Sequence, residues 1–385
     1  TASPSLVALL GVSRTAFLPV AGPIAGVLAD RFDRVRLMKV AQWGNVLVIG
    51  AMAAALLAGR GAYWQLVLAS LWLGVSWGID WPSRRALVAD LVGPARVLQA
   101  VVLDSTTVNL ARIVAPLLGG LLLARWGGPG AFAVLALSFL AASSALAPVV
   151  SAPRDAAGAG TAADAARMAQ VANAMRPAWA ALSASRSIWR EIAAGFVYVR
   201  RDPVIWAVLV IGVLMDSLLL PYQHILPLFA ERVLDAGPVE LGYLGAATGA
   251  GAFLGLLVLP LVRRPSWQGW VFAAGSCLAC LAMLLFAGST RLVGSLGLLL
   301  VVGLGTTAFG TMQTSIILTR AEPAMRGRAM GLLALTIGSA PLGALETGLL
   351  VERLGAPLAV GLNATLCGLL VASVAWRARL FRTPS

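Results

Sequence analysis

Gly26-Val27-Leu28-Ala29-Asp30-Arg31-Phe32-Asp33-Arg34-Val35-Arg36-Leu37-Met38-Lys39 crowds its charges between two long apolar runs, residues 5–29 and 38–58. A run of about 20 apolar residues is the length that crosses a bilayer. The charged stretch therefore reads as a loop between two membrane spans. Outward from it the same pattern recurs at 63–82, 98–123, 131–150, 204–229, 241–262, 268–288, 292–318, 329–350 and 356–376, which makes eleven spans. The breaks are short and carry Gly, Pro or Arg, as in Gly59-Arg60-Gly61 and Arg125-Trp126-Gly127-Gly128-Pro129-Gly130. No alternation of period two runs through them, so the reading is an all-α integral membrane protein and not a β-barrel. Composition agrees. Hydrophobic residues make up 59% of the 385, and charged residues only 12%, about half the share of a soluble domain.

The formal charge of +13 comes from 29 basic and 16 acidic residues, and Lys39 is the sole lysine. Such a balance raises the question of a nucleic-acid partner. Position answers it: on alternate breaks, 22 basic residues fall on one side of the spans and five on the other, with Arg14 and Arg112 inside spans. Basic residues gather on the cytoplasmic side of a membrane protein. The charge is thus a topology signal with no nucleic acid implied, and it places the C-terminus in the cytoplasm of a cell whose inner membrane holds the protein.

Leu121-Leu122-Leu123-Ala124-Arg125-Trp126-Gly127 resembles Leu349-Leu350-Val351-Glu352-Arg353-Leu354-Gly355 at an offset of 228. Shifted by that offset, span 241–262 falls on the first span, and span 204–229 falls ahead of residue 1. The expectation is a 6+6 helix repeat whose first helix is missing from this chain. Its parts are an N-terminal half at 1–150, a cytoplasmic linker at 151–202 and a C-terminal half at 203–385. An amphipathic helix near 188–199 should lie on the membrane surface.

The opening loop resembles the signature between the second and third helices of the major facilitator superfamily, in which Gly26, Asp30, Arg31, Arg34 and Arg36 match and Asp33 stands where a second Gly is usual. Arg112-Ile113-Val114-Ala115-Pro116-Leu117-Leu118-Gly119-Gly120 resembles the superfamily's antiporter motif through Pro116, Gly119 and Gly120, with Ala115 in place of a preferred Gly. Gly195-Phe196-Val197-Tyr198-Val199-Arg200-Arg201-Asp202-Pro203 and Arg326-Gly327-Arg328-Ala329-Met330-Gly331 are similar to the drug:proton antiporter branch that includes macrolide exporters and the enterobactin exporter. The resemblance implies the major facilitator fold and secondary transport by alternating access. It further implies proton-coupled export of an amphipathic drug-like or siderophore-like molecule, hence a role in multidrug resistance or siderophore export, for a protein that is no enzyme and needs no cofactor or metal. The implied partners are a small-molecule substrate, protons and lipid, around a monomer.

Ionisable groups inside a span are costly and mark function. At 1.5 Å per residue, Arg14, Arg112 and Asp216 lie about 20–24 Å from the arginine-rich ends of their helices. Asp216 is the candidate proton-coupling or substrate carboxylate, with Arg112 or Arg14 as partner and a permanent structural ion pair as the competing reading. Asp104 and Glu346 lie nearer the span ends. Asp80 is expected to pair with Arg31 or Arg34 in an inner-gate cluster. His224, between Pro221 and Pro227, reads as a structural residue at a bend. Other signals carry no chemistry. Cys277-Leu278-Ala279-Cys280 has no second ligand pair, and no P-loop lysine exists for ATP. Tryptophans such as Trp64, Trp126 and Trp376 fit an aromatic belt, while Trp72 and Trp77 are candidates to face a cavity. The rival functions are import or facilitated passage of a small metabolite on the same fold, and a membrane receptor or scaffold that transports nothing.

Overall fold

The computed structural model describes residues 4–15, 34–92, 97–148, 195–259, 267–322 and 325–380. Every regular element among them is helical. The N-terminal set comprises α1 (Pro4–Thr15), α2 (Arg34–Leu57), α3 (Tyr63–Val92) and α4 (Val97–Leu146). A short helical stretch at 195–201 leads into the C-terminal set. That set comprises α5 (Pro203–Leu214), a π-turn (Met215–Leu219), α6 (Tyr222–Val233), α7 (Pro238–Val258), α8 (Gln268–Ala287), α9 (Leu292–Arg320), α10 (Arg326–Ile337), α11 (Ala340–Leu354) and α12 (Ala356–Arg377).

Eight of the described helical stretches are long and apolar enough to cross a membrane. The sequence reading counted eleven spans, and the difference has identifiable sources. α4 is 50 residues long, which would be about 75 Å as one straight rod. It instead turns at Gly127, where φ is 63° and ψ is −171°. Only a residue without a Cβ adopts that backbone cheaply, and it falls in the expected break between two spans. α3 carries Gln65, Ser70, Ser76 and Asp80 and runs on through Arg84 and Arg85, so it is more polar than its neighbours. The rest of the first span lies outside the described residues, as do Gly26, Asp30 and Arg31 of the loop signature and most of the linker.

The buried core sits in the C-terminal set and centres on α5. Ile205, Val208, Ile211 and Met215 are 0% exposed, packed among α8, α9 and α12. Lipid is as apolar as leucine, so helices in a membrane associate through close van der Waals contact at small residues. α7 and α9 show this directly. A Cβ on Gly251 would strike the Leu300 carbonyl, and one on Gly303 would strike the Thr248 carbonyl. Replacing Gly251 by Leu must push the two helices apart. The expected loss is about 1–3 kcal/mol, read as a lower midpoint of thermal unfolding in detergent. Outward-facing leucines such as Leu47, Leu121 and Leu349 are exposed, as lipid contact requires. Trp64, Trp126 and Trp376 are exposed near helix ends, in the manner of an interfacial belt.

Candidate functional site

Two prolines create the central site. Pro221 has no N–H to offer the carbonyl four residues back, and its ring crowds that position. The chain ahead of it opens into the π-turn, where the Leu220 N–H donates to the Met215 carbonyl five residues away at 2.9 Å. Pro341 acts likewise on the second strand of contacts: α10 ends at Ile337, and α11 restarts at Ala340 behind tight turns at Ser339. The two breaks face each other. Gly343 of α11 lies so close to the freed Ser217 carbonyl that a Cβ there would collide with it. Ser217 Oγ and Ser339 Oγ hydrogen-bond at 2.9 Å. The expected bend between Pro221 and Pro227 is therefore real, but the discontinuity begins earlier, at Met215.

Asp216 sits in this joint at 7% exposure, hydrogen-bonded to Thr336. The Thr336 hydroxyl also donates to the Leu333 carbonyl at 2.8 Å. A hydroxyl has one proton. With that proton on Leu333, the Asp216 contact requires a proton on the carboxyl group; with the carboxylate ionised, the hydroxyl must turn to meet it. One turn earlier, Gly212 abuts Gln313 and Thr336, and the buried Gln313 Nε2 has no hydrogen-bond partner among the described residues. A carboxyl group and an unused amide donor thus share a site between α5, α9 and the α10–α11 break. Thr336, Ser217, Ser339 and Gln313 escaped the sequence reading because it searched the spans for charge. Their only signal was neutral polarity within apolar helices.

The expected arginine partners of Asp216 are elsewhere. Among the described residues no arginine pairs with it. Arg14 lies in electrostatic range of His224, whose ring packs on Gly11 of α1. Arg112 is exposed on α4, and its carbonyl lies against Gly249 of α7. Glu346 accepts from Asn363 Nδ2 at 3.0 Å and from Thr347 Oγ1 at 3.2 Å, clipping α11 to α12.

At the arginine-rich end, Asp80 meets Arg84 at 3.8 Å and accepts from Gln42 Nε2 at 3.4 Å. Arg84 also reaches Asp104 at 3.5 Å, so Asp104 belongs to this cluster. The proposed partners Arg31 and the Arg34 side chain lie outside the described residues; Arg36 is exposed on α2. Arg84→Ala leaves two carboxylates facing each other without the cation between them. The expected outcome is transport reduced by about tenfold at near-normal expression, with Asp104→Asn in the same chain restoring part of it.

Among the described residues, the two sets meet through α1 with α11, α1 with α6, and α4 with α7. The last is a seam of small residues. A Cβ on Gly242 would lie 2.7 Å from the Pro116 carbonyl, one on Gly245 would lie 2.8 Å from the Pro116 ring, and one on Gly120 would strike the Pro238 carbonyl. Gly119, by contrast, has open space at its Cβ position. At the arginine-rich end, Arg84–Asp104 stays within the N-terminal set, and Arg320–Asp202, at 3.2 Å, stays within the C-terminal set. Trp72, a candidate cavity residue, donates to Asn45 at 3.0 Å and packs over Gly44, so it is spent on joining α2 to α3.

Residues 1–345 match the family model of the Major Facilitator Superfamily. The chain belongs to that superfamily. Macrolide efflux protein A of Streptococcus pyogenes is 23% identical over 364 residues, covering 91% of this chain and 81% of that protein. The enterobactin exporter EntS of Shigella boydii is 24% identical over 366 residues, covering 93% and 80%. The uncharacterized MFS-type transporter YfiS of Bacillus subtilis is 28% identical over 387 residues, covering 96% and 83%. Among solved structures, a POT family transporter in complex with 5-aminolevulinic acid superposes with a TM-score of 0.72 at 12% identity, covering 99% of this chain and 89% of that one. A bacterial homolog of the human lysosomal transporter Spinster, inward-facing and unoccupied, gives 0.66 at 15% identity, covering 99% and 96%. The chain is accordingly a membrane transporter of the superfamily's fold and not an enzyme.

Proposed function

We propose that this transporter exports an amphipathic, drug-like or siderophore-like molecule in exchange for protons, as a monomer in the cell's inner membrane. Its arginine-rich end and C-terminus face the cytoplasm. The observation that carries the reading is Asp216: a buried carboxyl group at the junction of two broken helices, with no cation among the described residues paired to it and a hydroxyl that must change partner when the proton leaves. Discontinuous helices at mid-membrane are where transporters of this kind bind substrate and coupling ions. Export draws its support from the names of the macrolide and enterobactin relatives. The helices of 1–150 and 203–385 are the two bodies that rock, 151–202 tethers them, and Asp80, Arg84 and Asp104 tune the cytoplasmic end.

The test is accumulation of a fluorescent drug in a pump-deficient host expressing the transporter, with and without an uncoupler. Lower accumulation that the uncoupler abolishes is expected. Accumulation above that of the empty host favours import. No difference across a panel of drugs and catecholate siderophores overturns export of this substrate class.

A further inference from the structure

The chain has three cysteines and nine methionines. Two of the cysteines converge on one methionine. Cys280 of α8 lies with its Sγ 3.9 Å from Met215 Sδ, across 65 residues of sequence. Cys367 of α12 lies 3.9 Å from the same sulfur, across 152 residues. Met215 and Cys367 are 0% exposed and Cys280 is 2% exposed. Cys277, the other half of the CxxC spacing, is only partly buried and takes no part. The sulfurs that meet come from three separate helical segments and not from the CxxC spacing within α8, which the sequence reading had set aside.

Thiols often serve as small apolar packing groups, but this arrangement has the dimensions of a coordination site. Metal–sulfur bonds run about 2.3 Å. Two ligands at that distance, separated by 3.9 Å, subtend about 120° at the metal, the angle of a trigonal site. The Met215–Cys280 and Met215–Cys367 separations are thus each those of two ligands on one trigonal ion. The donor set has no oxygen or nitrogen ligand. Thiolate and thioether sulfur select Cu(I) and ions of similar softness. Charge narrows the class to monovalent ions. One thiol gives up its proton to water as its sulfur–metal bond forms, the other thiol and the thioether remain neutral, and the buried cluster carries no net charge, as an apolar core demands. No electron is transferred.

We propose that Met215, Cys280 and Cys367 form a trigonal binding site for a soft monovalent cation, Cu(I) or Ag(I). Met215 is also the first residue of the π-turn that carries Asp216, so an ion there ties the turn to α8 and α12. Because one proton leaves on binding, affinity rises with pH until that thiol is fully ionised.

The experiment uses the purified full chain in detergent, anaerobic and reduced, loaded with Ag(I) and, separately, with Cu(I), then desalted. Wild type and Cys277→Ala are expected to retain one equivalent by elemental analysis. Cys280→Ser and Cys367→Ser are expected to lose it, and Met215→Leu to bind at least tenfold more weakly. X-ray absorption should show sulfur neighbours near 2.3 Å. A wild-type measurement guards against variants that fail to fold: in denaturant sufficient to open the buried core, bound Ag(I) should shield Cys280 and Cys367, but not Cys277, from alkylation read by mass spectrometry. No retention, retention that survives loss of Cys280 and Cys367, or protection confined to Cys277 overturns the site.

Discussion

Asp216→Asn is expected to abolish proton-driven efflux while leaving expression and the detergent unfolding midpoint close to wild type. The asparagine has the volume of the carboxyl group and still hydrogen-bonds Thr336, so the joint between the π-turn and the α10–α11 break keeps its packing. It has no titratable proton. If Asp216 couples proton entry to export, accumulation of the fluorescent substrate in cells rises to the level of the empty host, a loss of tenfold or more. Asp216→Glu keeps the proton but adds a methylene to a buried site, which costs about 1–3 kcal/mol in overpacking, and should retain part of the activity. Full efflux by Asp216→Asn leaves Asp216 a structural residue. A second readout separates coupling from substrate binding. A coupling residue leaves energy-independent exchange of substrate intact in proteoliposomes, whereas a substrate ligand does not.

Gly242→Leu is expected to stop transport by a different route. The Gly242 position faces the Pro116 carbonyl at 2.7 Å and the Cα atoms of Gly120 and Leu117 at 3.4 Å. A leucine there has no space while α4 and α7 remain in contact. The seam must open, and the population shifts away from the state seen in the structure. A bias of about 5.5 kcal/mol between two states moves a 1:99 population to 99:1, and a side chain forced between two backbones is on that scale. The expected result is transport below a tenth of wild type from a monodisperse protein, with single cysteines placed near Pro238 becoming more reactive to a membrane-impermeant thiol reagent. Gly120→Ala should act in the same direction, and Gly119→Ala much less, because the Gly119 Cβ position is open. Equal losses at the two positions would remove the packing account of this segment.

Pro116, Gly119 and Gly120 show how far sequence reading reaches. Their order along one helix was enough to suggest a special segment. Sequence could not separate Gly120, whose Cβ position abuts α7, from Gly119, whose Cβ position is open among the described residues, because the distinction depends on a partner helix more than 100 residues away. Asp216 was likewise visible, since a carboxylate inside an apolar run stands out whatever surrounds it. The arginine partner was a wrong expectation: depth along a helix places two charges at one level but does not fix which way each helix turns. Arg84 joined Asp80 to Asp104 for a reason open to inspection, the four-residue spacing from Asp80 on one helix face, yet the reach to Asp104 depended on how α3 meets α4.

The sequence by itself determined that the chain is a multispanning helical membrane protein, because apolar length and the asymmetric placement of arginine answer directly to the thickness and electrostatics of a bilayer. It also marked the bend near Pro221 and the break around Gly127, residues that act on their own backbone, but it read 329–350 as one span and did not mark the break at Pro341. Tertiary structure alone decided that the breaks at Pro221 and Pro341 face each other, that Asp216 meets Thr336 in place of an arginine, and that Cys280 and Cys367 converge on Met215. The physical reason is that the bilayer and the local backbone act on each segment separately, whereas pairing depends on the rotation and packing of whole helices, which small-residue contacts such as Gly343 on Ser217 set.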